Sequence, residues 1–278
     1  MDESGKLKNA ISLIGSVVVS NNFYYSEKVQ KLNKKLINND VHFHLTAYKK
    51  HHLNNYLDLF ELFISNKAPL RFNVVSFKRA RFKNHILSNK IDDMIYLKIP
   101  ERTIYGALRG YSSFTEIEAD IYIEHANDYA KRKLDNAIKM QLNTHSLYKY
   151  DHFKILSSQL VYKNKEIGLE FTDSCLGVLR IIIENKDVRT AEIQNISKNL
   201  IYKKQLVHEL ISRHRDFFED IVLFELDDKG TLKRIDMYMY INLFESKYHK
   251  EQEQFNEIAG LYTLPTKKRK KPRKIPYR

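Results

Sequence analysis

One cysteine, Cys175, stands among 278 residues. That excludes an intramolecular disulfide framework and a multi-cysteine zinc module, and it fits the reducing cytoplasm. Long hydrophobic runs are also missing. The longest apolar stretch, Ile11–Val19, is far too short to span a membrane. It does not read as a signal peptide either, because Asp2 and Glu3 precede it and Gly15 and Ser16 interrupt it. Glycine and proline are sparse, at 8 and 5 residues, and no internal repeat is visible at any period.

What is present is the composition of an ordinary globular chain, 43% apolar and 29% charged. The length suits one large domain or two small ones. The formal net charge is +13, but eight of the basic residues fall in the last twelve positions: Lys267, Lys268, Arg269, Lys270, Lys271, Arg273, Lys274 and Arg278. Without them the net charge is +5. A run this dense repels itself and has no apolar face, so residues 265–278 are expected to be a disordered basic tail. Its natural partner is a nucleic-acid phosphate backbone. The alternatives are an anionic membrane surface, without any amphipathic element to accompany it, or a terminus that only aids solubility.

Hydrophobic patterning predicts an alternation of strands and helices over residues 1–185. Ile11–Ser20 and Leu70–Phe77 read as buried strands. Ile117–Glu124 alternates cleanly, with Ile117, Ala119, Ile121 and Ile123 on one side, and His152–Leu160 is a further strand. Helices are expected over Ser26–Leu36, His51–Ile64, Glu101–Ser113 and from about Asn127, while 84–98 is ambiguous. A strongly apolar helix starts at Thr172, Asp173 or Ser174 and runs to about Glu184, so it should be buried. Residues 186–264 read as a helical and hairpin extension, with Asp227-Asp228-Lys229-Gly230 turning between Ile221–Leu226 and Leu232–Tyr240. The fold class is therefore α/β, with a mixed sheet flanked by helices and a C-terminal α+β extension.

Several short motifs occur in order. They are Asp2-Glu3-Ser4-Gly5 before the strand with Gly15-Ser16-Val17-Val18-Val19, Phe43-His44-Leu45-Thr46, Val74-Val75-Ser76-Phe77-Lys78, Ile121-Tyr122-Ile123-Glu124, and Gly168-Leu169-Glu170-Phe171-Thr172-Asp173. Together they resemble a bacterial and phage family known as domain-of-unknown-function family 3800, whose members are similar to RNase H-like nucleases. The resemblance covers about residues 1–185. It implies an RNase H-like sheet and a site built from Asp2, Glu3, His44, Lys78, Glu124 and Asp173. Glu170 and Thr172 depart from the family's usual Gln and Ala, a change expected to affect packing more than charge. In such a sheet the first strand is central, and here only Met1 precedes the acidic motif. No strand can then be built ahead of Asp2: either four to six residues are expected upstream, or the sheet tolerates a gap.

The residue types fit phosphodiester hydrolysis. Two Mg²⁺ or Mn²⁺ ions a few ångströms apart would neutralise the scissile phosphate and activate water, and such hard cations take carboxylate oxygens. Asp2, Glu124 and Asp173 are the expected metal ligands, with Glu3 nearby. Asp120 lies about 13 Å from Glu124 along an extended strand, so one metal pair cannot readily use both. Each residue also has a plainer reading: Asp173 as a helix N-cap, Glu124 as a solvated strand end, and Asp2 and Glu3 as a frayed terminus. Lys78 with Arg79 and Arg81 reads as exposed charge or as a phosphate-facing cluster. His44 and His42 alternate on one predicted strand face, but no matching cysteine pair supports a zinc reading. Cys175 reads as packing in the buried helix. The expected function is a metal-dependent nuclease acting on DNA or RNA. The alternatives are a catalytically incomplete nucleic-acid-binding module, or an interaction protein of a phage or defence system whose tail docks an acidic partner.

Overall fold

The computed structural model describes the chain except residues 6–10, 66–68, 83–89, 113–115, 151, 188–197, 228 and 263–278. The basic tail therefore lies outside the described residues. The described residues include seven strands: β1 (Asp2–Ser4), β2 (Ser12–Val18), β3 (Arg71–Phe77), β4 (Ile117–Glu124), β5 (Phe153–Val161), β6 (Val222–Leu226) and β7 (Leu232–Ile235). The helices are α1 (Asn21–Tyr24), α2 (Glu27–Ile37), α3 (Leu53–Ile64), α4 (Ile91–Asp93), α5 (Ile99–Ser112), α6 (Asn127–Lys131), α7 (Leu134–Lys149), α8 (Ile167–Glu184), α9 (Lys198–Glu219) and α10 (Met237–Tyr262). No described helix is long and apolar enough to cross a membrane.

A mixed five-stranded sheet runs in the order β1-β2-β3-β6-β7, and β4-β5 form a parallel pair. Met1 joins the two. Its nitrogen donates to the Tyr122 carbonyl at 2.8 Å, and the Glu124 N–H donates to the Met1 carbonyl at 3.1 Å, a parallel bridge centred on Ile123. The acidic motif Asp2-Glu3-Ser4 is itself the strand β1. It is antiparallel to β2, with Asp2 opposite Gly15 and Ser4 opposite Leu13, and it sits between β2 and β4.

Period-two alternation divides the interior into two apolar layers. Leu13 and Val74 point to a core shared with α1, α2, α3, α8, α9 and α10. Ile14 and Val75 point to the other, filled from α5, α7, β4 and β5. The C-terminal extension is built into the same body: β6 pairs parallel with β3, and Leu206, Leu210 and Phe244 belong to the first core. The hairpin's second strand is shorter than the predicted Leu232–Tyr240, because Asp236 accepts a hydrogen bond from the Tyr238 N–H and α10 begins at Met237. His42 and His44 do not share a strand, since their segment leads instead into a 3₁₀ turn over Leu45–Ala47.

Candidate functional site

Asp2 lies on the α8 side of β1, in the register row Asp2–Gly15–Val74. Helix α8 approaches closely there because residue 15 is glycine. A Cβ at that position would stand 2.7 Å from Leu176 Cδ2 and 2.9 Å from the Phe72 ring. The helix begins one and a half turns earlier than its apolar pattern predicts. Its N-cap is Glu166, whose carboxylate accepts a hydrogen bond from the Tyr24 hydroxyl, and Asn33 Oδ1 takes the Ile167 N–H at 2.8 Å. Asp173 is therefore not an N-cap. It sits in the second turn of α8, free of any capping duty.

Three carboxylates converge from three elements: Asp2 from β1, Glu124 from the end of β4 and Asp173 from α8. Asp2 is 2% exposed. Its pKa is held well above the ordinary carboxylate value, first by burial, then by a hydrogen bond and charge repulsion with Glu124, and then by Asp173. Two bases flank the group. His44 Nδ1 is 2.9 Å from Asp173 Oδ2, and this contact raises the His44 pKa. The Ser174 hydroxyl donates to the Phe43 carbonyl at 3.1 Å, which ties the His44 segment to α8. Lys163, in the turn between β5 and α8, reaches Glu124 Oε1 at 3.0 Å. Burial alone would lower the lysine's pKa, but the pairing with Glu124 outweighs it and the net shift is upward.

Lys163 was not singled out from the sequence, where Lys163-Asn164-Lys165 looks like an ordinary polar turn. Glu170 was read as a packing change, yet it is a buried carboxylate whose pKa is raised by burial, with the Asn164 N–H bonding it at 2.8 Å and Asp173 repelling it. It adds charge to the neighbourhood of Asp173.

Glu3 and Lys78 lie elsewhere. Glu3 points to the opposite face of the sheet, where the Tyr129 hydroxyl donates to it at 3.4 Å. Lys78 is exposed just past β3, four residues and about 13 Å beyond the row that holds Asp2. Beside it, Arg81 pairs with Glu225 at 2.8 Å, and Arg79 lies over the Tyr96 ring and hydrogen-bonds its hydroxyl. Asp120 is engaged by the Ser157 hydroxyl, away from the three carboxylates.

A second cluster sits between α9 and α10. His208, Glu245 and His249 place ligand atoms within 4.8 Å of one another, so they could hold a metal ion. The Glu245–His249 spacing of four residues is visible in the sequence, but the convergence of His208 is a product of helix packing. Compared with protein-family models, curated proteins and solved structures, the chain matches none.

Proposed function

We propose that this protein is a divalent-metal-dependent nuclease of RNase H-like architecture, as its resemblance to domain-of-unknown-function family 3800 implies. The observation that carries the reading is the convergence of Asp2, Glu124 and Asp173 around a buried, mutually repelling carboxyl pair. The position of β1 between β2 and β4 supports it, since such a sheet has its first strand in the centre. Asp2 carries an electrostatic cost that a cation would relieve, and an all-oxygen donor set suits Mg²⁺ or Mn²⁺. Held by Asp2, Glu124 and Asp173, the metal would neutralise charge on the scissile phosphate and acidify the attacking water.

The chain's own residues supply the rest. His44, oriented by Asp173, is placed to hold or release a proton at Nδ1 beside the centre. Lys163 is partly exposed, so its ammonium can leave Glu124 and bind a phosphate oxygen when substrate arrives. The basic tail, and more distantly Lys78, Arg79 and Arg81, would track the nucleic-acid backbone.

One observation favours a second reading, a nucleic-acid-binding module without cleavage. Lys163 and His44 already compensate Glu124 and Asp173 through protein charges. Incubation with single- and double-stranded DNA and RNA in Mn²⁺ separates the two. Glu124→Gln and Asp173→Asn should each abolish metal-dependent cleavage while changing affinity in EDTA by less than about threefold. Unchanged cleavage in both variants removes the nuclease reading. Salt-dependent binding by the wild type with no cleavage of any substrate establishes the binding module.

A further inference from the structure

We propose that His208, Glu245 and His249 form a site for a zinc-class transition-metal ion that clips α9 to α10, independent of the carboxylate centre. Glu245 and His249 are four residues apart on α10 and so share one face of the helix. His208 projects from α9, and its Nδ1 lies 2.9 Å from Glu245 Oε1. His249 Nε2 lies 4.0 Å from Glu245 Oε2, too far for a hydrogen bond. Around a tetrahedral zinc with bonds near 2.1 Å, neighbouring ligand atoms stand about 3.4 Å apart. The separations, measured to the two oxygens of Glu245, straddle that value, and the ligand atoms lie within 4.8 Å of one another, so side-chain adjustments of about an ångström bring them onto one ion.

The ligands are also pre-positioned. The His208 ring stacks on Tyr248 at 4.4 Å and meets the His249 ring edge-on at 5.4 Å. The nearby lysines are engaged by other acids, Lys204 with Glu251 at 2.6 Å and Lys247 with Asp187 at 2.7 Å. Two imidazoles and one carboxylate favour zinc-class ions over Mg²⁺ or Ca²⁺, and a fourth position is left for water. The ion would anchor α10, the helix that precedes the basic run in the sequence.

The test is zinc titration of the metal-free full chain by calorimetry and thermal melting, with Co²⁺ absorption as a second readout of tetrahedral geometry. With millimolar Mg²⁺ present throughout to occupy the carboxylate centre, the expected result is one Zn²⁺ per chain at micromolar affinity and a raised Tm. His249 is exposed, so His249→Ala should fold normally. It and Glu245→Gln should each weaken zinc binding at least tenfold. A His51→Ala/His52→Ala variant and Asp173→Asn should bind zinc like the wild type, which separates this site from the other histidines and from the nuclease centre. Absence of saturable zinc binding, or undiminished binding in either His249→Ala or Glu245→Gln, overturns the proposal.

Discussion

Asp2 pays for its position with stability. Its folded pKa lies above the ordinary carboxylate value because the side chain is buried against Glu124 and Asp173. Between the unfolded and folded values the native state binds more protons than the unfolded chain does. Stability that is full below the unfolded pKa is therefore lost as pH rises through the folded pKa. Asp2→Asn keeps the shape and removes the charge. In EDTA at pH 8 it should raise Tm by about 2–4 °C, equivalent to ~1 kcal/mol for a chain of this size, and the gain should shrink towards pH 4. Mn²⁺ should stabilise the wild type at pH 8 more than the variant, because a ligand stabilises only the state that binds it. The check is a melting series over pH with and without metal. A variant that melts lower than the wild type at pH 8 in EDTA would mean that the carboxylates do not repel one another as the structure indicates.

At the scale of elements, β1 is a three-residue strand between two longer neighbours. Beyond Gly15, the β2 residues Ser16, Val17 and Val18 have no strand partner on the β1 side among the described residues, and β4 starts six residues before its bridge to Met1. A cavity of about 350 Å³ opens between them, lined by Val17, Val18, Ile117, Ala119 and Ile121 and ending at Met1. Ser16 Oγ is buried there with no hydrogen-bond partner among the described residues. Four β-branched apolar residues fused ahead of Met1 would span about 13 Å and could pair with both edges. That fusion should raise Tm by several degrees and increase any Mn²⁺-dependent cleavage, because Asp2 would be held by a longer strand. An Asp-Pro-Gly-Ser fusion of equal length should do neither. Equal melting of the two fusions would show that the cavity does not accept a strand.

For the whole molecule, electrostatics and folding are separable. The C-terminal basic run supplies eight of the positive charges and has no apolar periodicity to pack a core. Deleting Thr266–Arg278 should leave Tm within about 1 °C. It should weaken nucleic-acid binding across all sequences and flatten the salt dependence, as the loss of phosphate contacts does. Affinity and salt slope that survive the deletion would assign the tail to another partner. The C-terminal helices behave differently, because α9 and α10 contribute Leu206, Leu210 and Phe244 to the same core as α8 and β2. Truncation before α9 should expose that core, not release a separate unit.

Local pattern was enough for the strands β2, β3, β4 and β5 and for the buried character of α8, because alternation and apolar periodicity are properties of neighbouring residues. Asp2, Glu124, Asp173 and His44, which the fold brings to one place, came from the family resemblance and not from periodicity. The resemblance grouped Glu3 with them, although period two sends adjacent strand residues to opposite faces, and the apolar pattern misplaced the start of α8. That start depends on Asn33 and Tyr24, which are distant in the chain. Lys163, the buried charge of Glu170, the union of β6 with β3 and the meeting of His208 with Glu245 and His249 were set by tertiary packing alone. Each depends on contacts between residues far apart in sequence. No periodicity within a short window encodes such contacts, and only the assembled sheet and its two helical layers bring the groups within bonding distance.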